Sequence, residues 1–214
     1  DAFATSMETR LDQAAALNPN PGHRPFQRLN RAEYARAVEQ LLTEEEFAAA
    51  GVKKPDYGIT GWVILTLIQH GTPSQIDRFV EKALRKDEIW CQLFSEPSAG
   101  SDAAAVKTRA TRVDGGWKIN GQKVWTSGAH YCKRGLATVR TDFDGPKHAG
   151  ITMVILDMEA PGVEVRPLRQ ITGGSEFNEV FFTDVFVPDE DVVGEPNAGW
   201  TVARATLGNE RVSI

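Results

Sequence analysis

The chain is predicted to be an α+β protein, with helices first and then short strands that form an antiparallel barrel or sandwich. Up to about Lys86 it is rich in Ala and Glu, with apolar residues at helical spacing. After a break near Asp87 it is rich in Val, Thr and Gly, in short alternating runs punctuated by Gly, Pro and Asp. Its 214 residues, 41% hydrophobic and 25% charged, suffice for one large or two small domains with a sizeable core, and exclude disordered, collagenous and disulfide-scaffold classes.

In chain order, Asn30-Arg31-Ala32-Glu33 and Thr43-Glu44-Glu45-Glu46 read as capping boxes, each opening a helix by exchanging side-chain and backbone hydrogen bonds. Ile59 to Ile68 is apolar nearly all round apart from Thr60, Gly61 and Thr66, which predicts a buried helix, with Gly71 placed for a left-handed C-terminal cap. Thr72-Pro73-Ser74-Gln75 opens another helix, with Pro at the first position where its missing N–H costs nothing. That helix runs to about Arg85 and buries Ile76, Phe79, Val80 and Leu84.

Alternation over Val106–Val113 predicts a half-buried strand, turned by Asp114-Gly115-Gly116 into Trp117-Lys118-Ile119. Asn120-Gly121 reads as a second tight hairpin turn, because both residue types tolerate positive φ. Further strands are expected at Leu136–Arg140, Ile151–Leu156, Gly162–Pro167, Glu179–Phe182 and Val185–Val187, with Arg140-Thr141-Asp142-Phe143-Asp144 as a solvated hairpin tip.

Composition also narrows function. A net charge of -5, from 24 basic and 29 acidic residues, gives no general attraction to nucleic acid or anionic membrane. Cys91 and Cys132 fit no metal or haem spacing and read as packing residues. His23, His70, His130 and His148 form no ligand pair, so no metal site is expected. The longest apolar run is too short for the ~20 residues of a membrane-spanning helix. The start resembles neither a secretory signal nor an organelle presequence, and the end falls where a helix is beginning without a stop signal. A cytoplasmic fragment is therefore expected.

The chemistry concentrates in Phe94-Ser95-Glu96-Pro97-Ser98-Ala99-Gly100-Ser101-Asp102 and in Gly121-Gln122-Lys123-Val124-Trp125-Thr126-Ser127. The small residues of the first run let backbone N–H groups approach a ligand, and Ser95 and Ser101 add hydroxyls. Taken alone, that run fits an ordinary Gly/Ser turn as well as a ligand cradle, and Trp125 fits a core aromatic as well as a stacking shelf. Thr126 and Ser127 place hydroxyls beside the indole, which suits a planar ligand with a polar edge.

From about Glu44 onward the chain resembles an acyl-CoA dehydrogenase. The likeness rests on Trp90-Cys91-Gln92-Leu93-Phe94-Ser95-Glu96-Pro97, Ala99-Gly100-Ser101-Asp102, Asn120–Ala129, Arg166-Pro167-Leu168 and Glu176-Phe177-Asn178-Glu179-Val180. It covers the end of that family's N-terminal helical domain and its middle β-domain. The resemblance implies FAD beside Gln92, Leu93, Phe94 and Ser95, with Gly100 and Ser101 near the cofactor and the acyl-CoA. Trp125 stacks on the flavin in this reading, while Thr126 and Ser127 contact it and Ser127 hydrogen-bonds its N5/O4 edge. In isovaleryl and long-chain members the catalytic Glu lies in a Glu-Arg pair on the first helix after the β-domain. This makes Glu210 the base and Arg211 a contact to CoA, against the alternatives of an exposed first-turn Glu and a base beyond Ile214. His130 is expected to line the loop, and His70 to favour a helix end.

The resemblance further implies an electron-transfer flavoprotein-type acceptor and a homo-oligomeric full-length bacterial enzyme. Residues 1–42 depart from the family and weakly resemble a helical domain of unknown function from planctomycete multidomain proteins. The expected organisation is thus 1–42 atypical, 43–88 helical, 89–203 flavin-binding β-domain and 204–214 the start of a C-terminal helical domain. Two other functions stay open: a same-fold flavin oxidase or monooxygenase, and an inactive chimeric fragment.

Overall fold

A computed structural model of the chain describes residues 49, 51 and 56–213. The capping boxes at Asn30 and Thr43 and the atypical segment 1–42 lie outside the described residues. Among the described residues three α-helices, α1 (Ile59–His70), α2 (Pro73–Leu84) and α3 (Gly199–Ser213), accompany eight strands. The strands are β1 (Trp90–Leu93), β2 (Arg109–Val113), β3 (Gly116–Ser127), β4 (Arg134–Arg140), β5 (Ile151–Asp157), β6 (Val163–Pro167), β7 (Phe177–Pro188) and β8 (Val192–Val193).

The strands form one mostly antiparallel sheet that does not close, in the order β6-β7-β3-β2-β4-β5-β8, with β1 pairing in parallel with β4. Its two halves join where Arg109 of β2 pairs with Arg140 of β4. An inner core holds them together: Trp117, Ile119, Phe182 and Val187 from one half meet Leu93, Val139, Val154 and Leu156 from the other. On their opposite face, β4 and β5 present Leu136, Met153 and Ile155 to Val63, Ile64 and Leu67 of α1, Phe79 of α2 and Val202 of α3. Strands covered on both faces read as continuous apolar runs, which is why Leu136–Val139 and Ile151–Leu156 lack alternation.

The Thr72 capping box forms as expected. Gln75 N donates to Thr72 Oγ1 at 3.2 Å and Thr72 N donates to Gln75 Oε1 at 2.9 Å. The Gln75 amide also donates to the carbonyls of Glu190 and Val192 at 2.7 and 2.8 Å, tying α2 to β8. Phe79 and Val80 are buried as expected, whereas Ile76 and Leu84 are only partly covered.

Four expectations are corrected. Gly71 ends α1 in extended geometry, φ -70°, and not in the left-handed region. Glycine is needed there because a Cβ would sit 2.5 Å from the Leu67 carbonyl oxygen. Asn120-Gly121 is no hairpin turn, because β3 runs through it unbroken. Instead Asn120 exchanges hydrogen bonds with Asp184 across a β-bulge, Nδ2 to Oδ1 and Oδ1 from the backbone N, both at 3.0 Å. Glu179–Phe182 and Val185–Val187 are therefore one strand, bulged at Asp184 with φ 51°. Gly121 stays a glycine because its Cβ would lie 2.7 Å from Thr108 Cα.

Arg140 is the fourth. It is no solvated tip residue but is 6% exposed, and its guanidinium donates to the carbonyls of Ala104, Val106, Lys147 and Ala149 at 2.6 to 3.2 Å. No single strand pattern shows this, since the acceptors come from two separate loops. Among the described residues, no helix is long and apolar enough to cross a membrane.

The two glycines of the β2–β3 region should separate by cost. Gly115→Ala, at φ +72° with nothing within 4 Å, is expected to lose about 1 kcal/mol. Gly121→Ala must also displace the Thr108 backbone and should lose about 2–4 kcal/mol in urea unfolding.

Candidate cofactor site

The two motifs meet through a buried ion pair. Lys123 on β3 is fully buried, and its Nζ donates to Glu96 Oε1 at 2.8 Å, the Thr138 carbonyl at 2.7 Å and the Phe94 carbonyl at 3.2 Å. The Glu96 carboxylate also accepts from the backbone N–H groups of Lys107 at 2.6 Å and Thr108 at 3.0 Å. Next door, Val124 N donates to the Ser95 carbonyl at 2.9 Å. Together these bonds fix the Phe94–Glu96 turn against the last part of β3.

Burial pulls the Lys123 ammonium down to about 8, against the raising pull of Glu96. Burial would raise the Glu96 carboxyl, but the Lys123 charge, its hydrogen bond and those from Lys107 and Thr108 outweigh it and hold the group below its usual value.

One residue beyond the clamped Val124, β3 bulges. Between the pairs Lys123↔Val180 and Thr126↔Asn178, Val124 and Trp125 stand opposite Glu179 alone. Trp125 takes φ 59°, a strained value for a bulky residue, and its indole is 62% exposed, edge-on to Phe177 at 6.2 Å between ring centroids. A large aromatic held outward on strained backbone is not a core residue. Thr126 is turned inward with its hydroxyl buried and unpartnered among the described residues.

Ser127 is half-buried and stands where two clefts meet. One cleft is bounded by the start of α1 and by Ile89, Trp90 and Cys132, the other by His130, Glu176 and Phe177, and Tyr131 lines both. Gly128, at φ 67°, lets the Tyr131 ring lie on the backbone, where any Cβ would collide with its hydroxyl. His130 Nδ1 pairs with Asn178 Oδ1 at 3.0 Å, consistent with a loop-lining role.

After Glu96 the chain makes a tight turn, with paired backbone bonds between Glu96 and Ala99 at 2.9 and 3.0 Å, and leaves Gly100, Ser101 and Asp102 exposed. The far end of this loop is anchored by Arg140 through Ala104 and Val106. Asp102 pairs on the surface with Lys147, whose hydrogen bond holds the carboxyl below its usual value.

The remaining expected residues are placed as follows. Gln92 is half-buried and accepts from Trp62 Nε1 at 2.7 Å, linking β1 to α1. Leu93 lies in the inner core and Phe94 in the core under the helices, so both offer a ligand mainly their backbone. Glu210 lies near the end of α3 and not in its first turn, half-buried, and its carboxylate makes no hydrogen bond or ion pair with a described residue. Its helix is set against α1 by reciprocal amide bonds between Gln69 and Asn209 at 3.3 and 3.1 Å. Arg211 is exposed.

Sequence reasoning assigned no role to Lys123, Glu96 or Arg140. A lysine at an inward position of an alternating strand is the one signal that could have exposed the first. The cysteines pack as expected but are not apart in space. Hydrogen bonding with Cys132, together with burial, pushes the Cys91 thiol well above its usual value. Among the described residues no group of three His, Cys, Asp or Glu side chains could hold a metal.

An outward indole, a neighbouring Ser127 hydroxyl at the head of two clefts and a backbone turn locked beside them can hold a planar ring and donate to its edge. Residues 91–185 match the family described as acyl-CoA dehydrogenase, middle domain. The chain is 57% identical over 180 residues, 84% of its length and 25% of the relative's, to acyl-CoA dehydrogenase FadE34 of Mycobacterium tuberculosis. It is 47% identical over 156 residues, 68% of its length and 40% of the relative's, to acyl-CoA dehydrogenase IpdE1 of Mycolicibacterium smegmatis. Among solved structures, a variant of the Tcur3481-Tcur3483 steroid ACAD superposes with a TM-score of 0.72 at 33% identity, over 82% of this chain and 46% of that one. The chain belongs to the acyl-CoA dehydrogenase family. It spans less than half the length of these relatives.

The ion pair makes stability depend on pH at both ends. Glu96 holds its proton less tightly folded than unfolded, so its contribution is full above about pH 4.5 and is lost as pH falls through the folded value. Lys123 is lowered from 10.5 to about 8, so the unfolded chain binds more protons between those values and stability rises with pH across that window. Urea midpoints taken from about pH 3 to 11 should lose the acid-side slope in Glu96→Gln and the alkaline rise in Lys123→Met. At neutral pH, Lys123→Met should cost about 3–5 kcal/mol, because it strands a buried carboxylate.

Proposed function

We propose that this chain is the flavin-holding part of an acyl-CoA dehydrogenase that removes hydrogen from the α and β carbons of an acyl-CoA thioester. The observation that carries the reading is Trp125, an exposed indole on a strained bulge beside the Ser127 hydroxyl. FAD fits these groups, and when bound it supplies the hydride acceptor. In this reading Trp125 stacks on the cofactor and Ser127 donates a hydrogen bond to its polar edge. Thr126 supports the stack through its backbone, and the 92–95 backbone runs alongside. Gly100 and Ser101 lie open to the phosphate-bearing parts of cofactor and substrate.

Glu210 takes the proton from the carbon α to the thioester carbonyl, and Arg211 binds the CoA moiety. Its half-buried position on a helix fixed against α1 supports Glu210 in that task better than a solvated side chain would. The helical portion from 43 to 88, the β-domain from 89 to 203 and a following helical domain complete the arrangement. α3 begins ahead of that last boundary, at Gly199. The whole enzyme works as a cytoplasmic homo-oligomer and passes electrons to an electron-transfer flavoprotein-type acceptor. The likeness to a steroid ACAD supports a bulky polycyclic acyl group as substrate.

In the full-length enzyme, Glu210→Gln should retain bound FAD and lose most flavin reduction by acyl-CoA, roughly 100-fold or more in rate. Unchanged reduction moves the base elsewhere. Anaerobic mixing with acyl-CoAs followed by air tests the reaction class: a dehydrogenase bleaches and stays bleached while product is bound, whereas an oxidase recolours at once. A 214-residue chain that is purified colourless and takes up no added FAD would favour the inert-fragment reading.

A further inference from the structure

We propose that Lys123 is a positioning residue for the cofactor, its buried ammonium fixing the Phe94–Glu96 turn and the Trp125 bulge in one geometry. The inference rests on the flavin reading above and adds to it the group that builds the site.

Three observations converge on Lys123. Its Nζ has three acceptors on two segments: the Phe94 carbonyl and Glu96 Oε1 on the turn after β1, and the Thr138 carbonyl on β4. It is fully buried, so these are its means of satisfying a charge that water cannot reach. The strained Trp125 lies two residues further along the same strand, and Val124 between them is bonded to the Ser95 carbonyl at 2.9 Å.

A strained φ persists only where the surroundings over-determine it. On the turn side Ser95 lies between the two residues that Lys123 holds. On the β3 side the clamp ends just where the bulge begins. Without the ammonium, Phe94 O and Thr138 O lose a common donor, and outside itself the turn keeps the bonds that Glu96 accepts from Lys107 and Thr108, just ahead of β2, and the single Val124–Ser95 bond to β3. That one backbone bond is left to hold the turn against the bulge. The expected consequence is a shelf that remains folded but relaxes its strained backbone and separates from Ser95.

The test compares wild type with Lys123→Met/Glu96→Gln, which removes both charges and so avoids stranding either. Glu96→Gln alone, which keeps the two carbonyl bonds of Lys123, serves as the milder variant. The 214-residue chain is labelled with 5-fluorotryptophan at its five tryptophans, and Trp125→Phe assigns the Trp125 line in the ¹⁹F spectrum. In the double variant the Trp125 line should shift or broaden while the Trp62 and Trp200 lines stay in place, with Glu96→Gln intermediate. In the full-length enzyme the FAD dissociation constant should rise at least about tenfold in the double variant, the scale on which a misplaced binding group acts.

A folded double variant with an unmoved Trp125 line and wild-type FAD affinity overturns the proposal and leaves the flavin reading intact. If the double variant does not fold, the same two measurements on Glu96→Gln decide. A wild-type enzyme that binds no FAD overturns the flavin reading, and with it the role assigned here to Lys123.

Discussion

Lys123 and Glu96 carry opposite charges in a place from which water is excluded, and the segments around them are arranged to satisfy those charges. Desolvating two such ions costs several kcal/mol each, which their attraction offsets only if the remaining donors and acceptors are also matched. Here they are: the ammonium reaches two carbonyls besides the carboxylate, and the carboxylate takes two backbone N–H groups. The extra bonds come from the turn after β1, from the stretch entering β2 and from β4, so satisfying the pair fixes these segments and β3 relative to one another. The exposed site is built on the edge of that knot.

A second polar knot works in the same way at the other end of the Ala99–Val106 loop. Arg140 has no carboxylate within its hydrogen bonds and is satisfied by four carbonyls from the loops on either side of it. The loop carrying Gly100 and Ser101 is therefore pinned at Glu96 and again at Ala104 and Val106, leaving only its small-residue tip open. Rigid ends with an open tip suit close backbone approach by a ligand. Between the knots, β4 and β5 are sandwiched by the inner core on one face and by α1, α2 and α3 on the other.

The family relationship and the site geometry reach the same place from different directions. The family match covers 91–185, the span that contains both motifs and the clamp between them. Relatives that share it are named acyl-CoA dehydrogenases, and the chain spans only part of each. The matched span carries an outward indole, a neighbouring hydroxyl and a locked turn. Glu210 lies on α3, which packs against α1.

Local chemistry made much of the fold legible. The Thr72 capping box needs only residues three apart, the Asp114-Gly115 turn only its own backbone preferences, and the motifs around Ser95 and Trp125 are contiguous in sequence. These features depend on interactions within a few residues, so sequence spacing reports them. Asn120-Gly121 shows the limit, because the same dipeptide that makes a hairpin turn in isolation becomes part of a continuous strand when Asp184 and Thr108 lie against it. Only tertiary structure could decide that Trp125 faces solvent while Thr126 faces inward, that Arg140 is buried, and that Lys123 meets Glu96. Each of these turns on the free energy of placing a group among partners distant in the chain, and period or propensity holds no record of those partners.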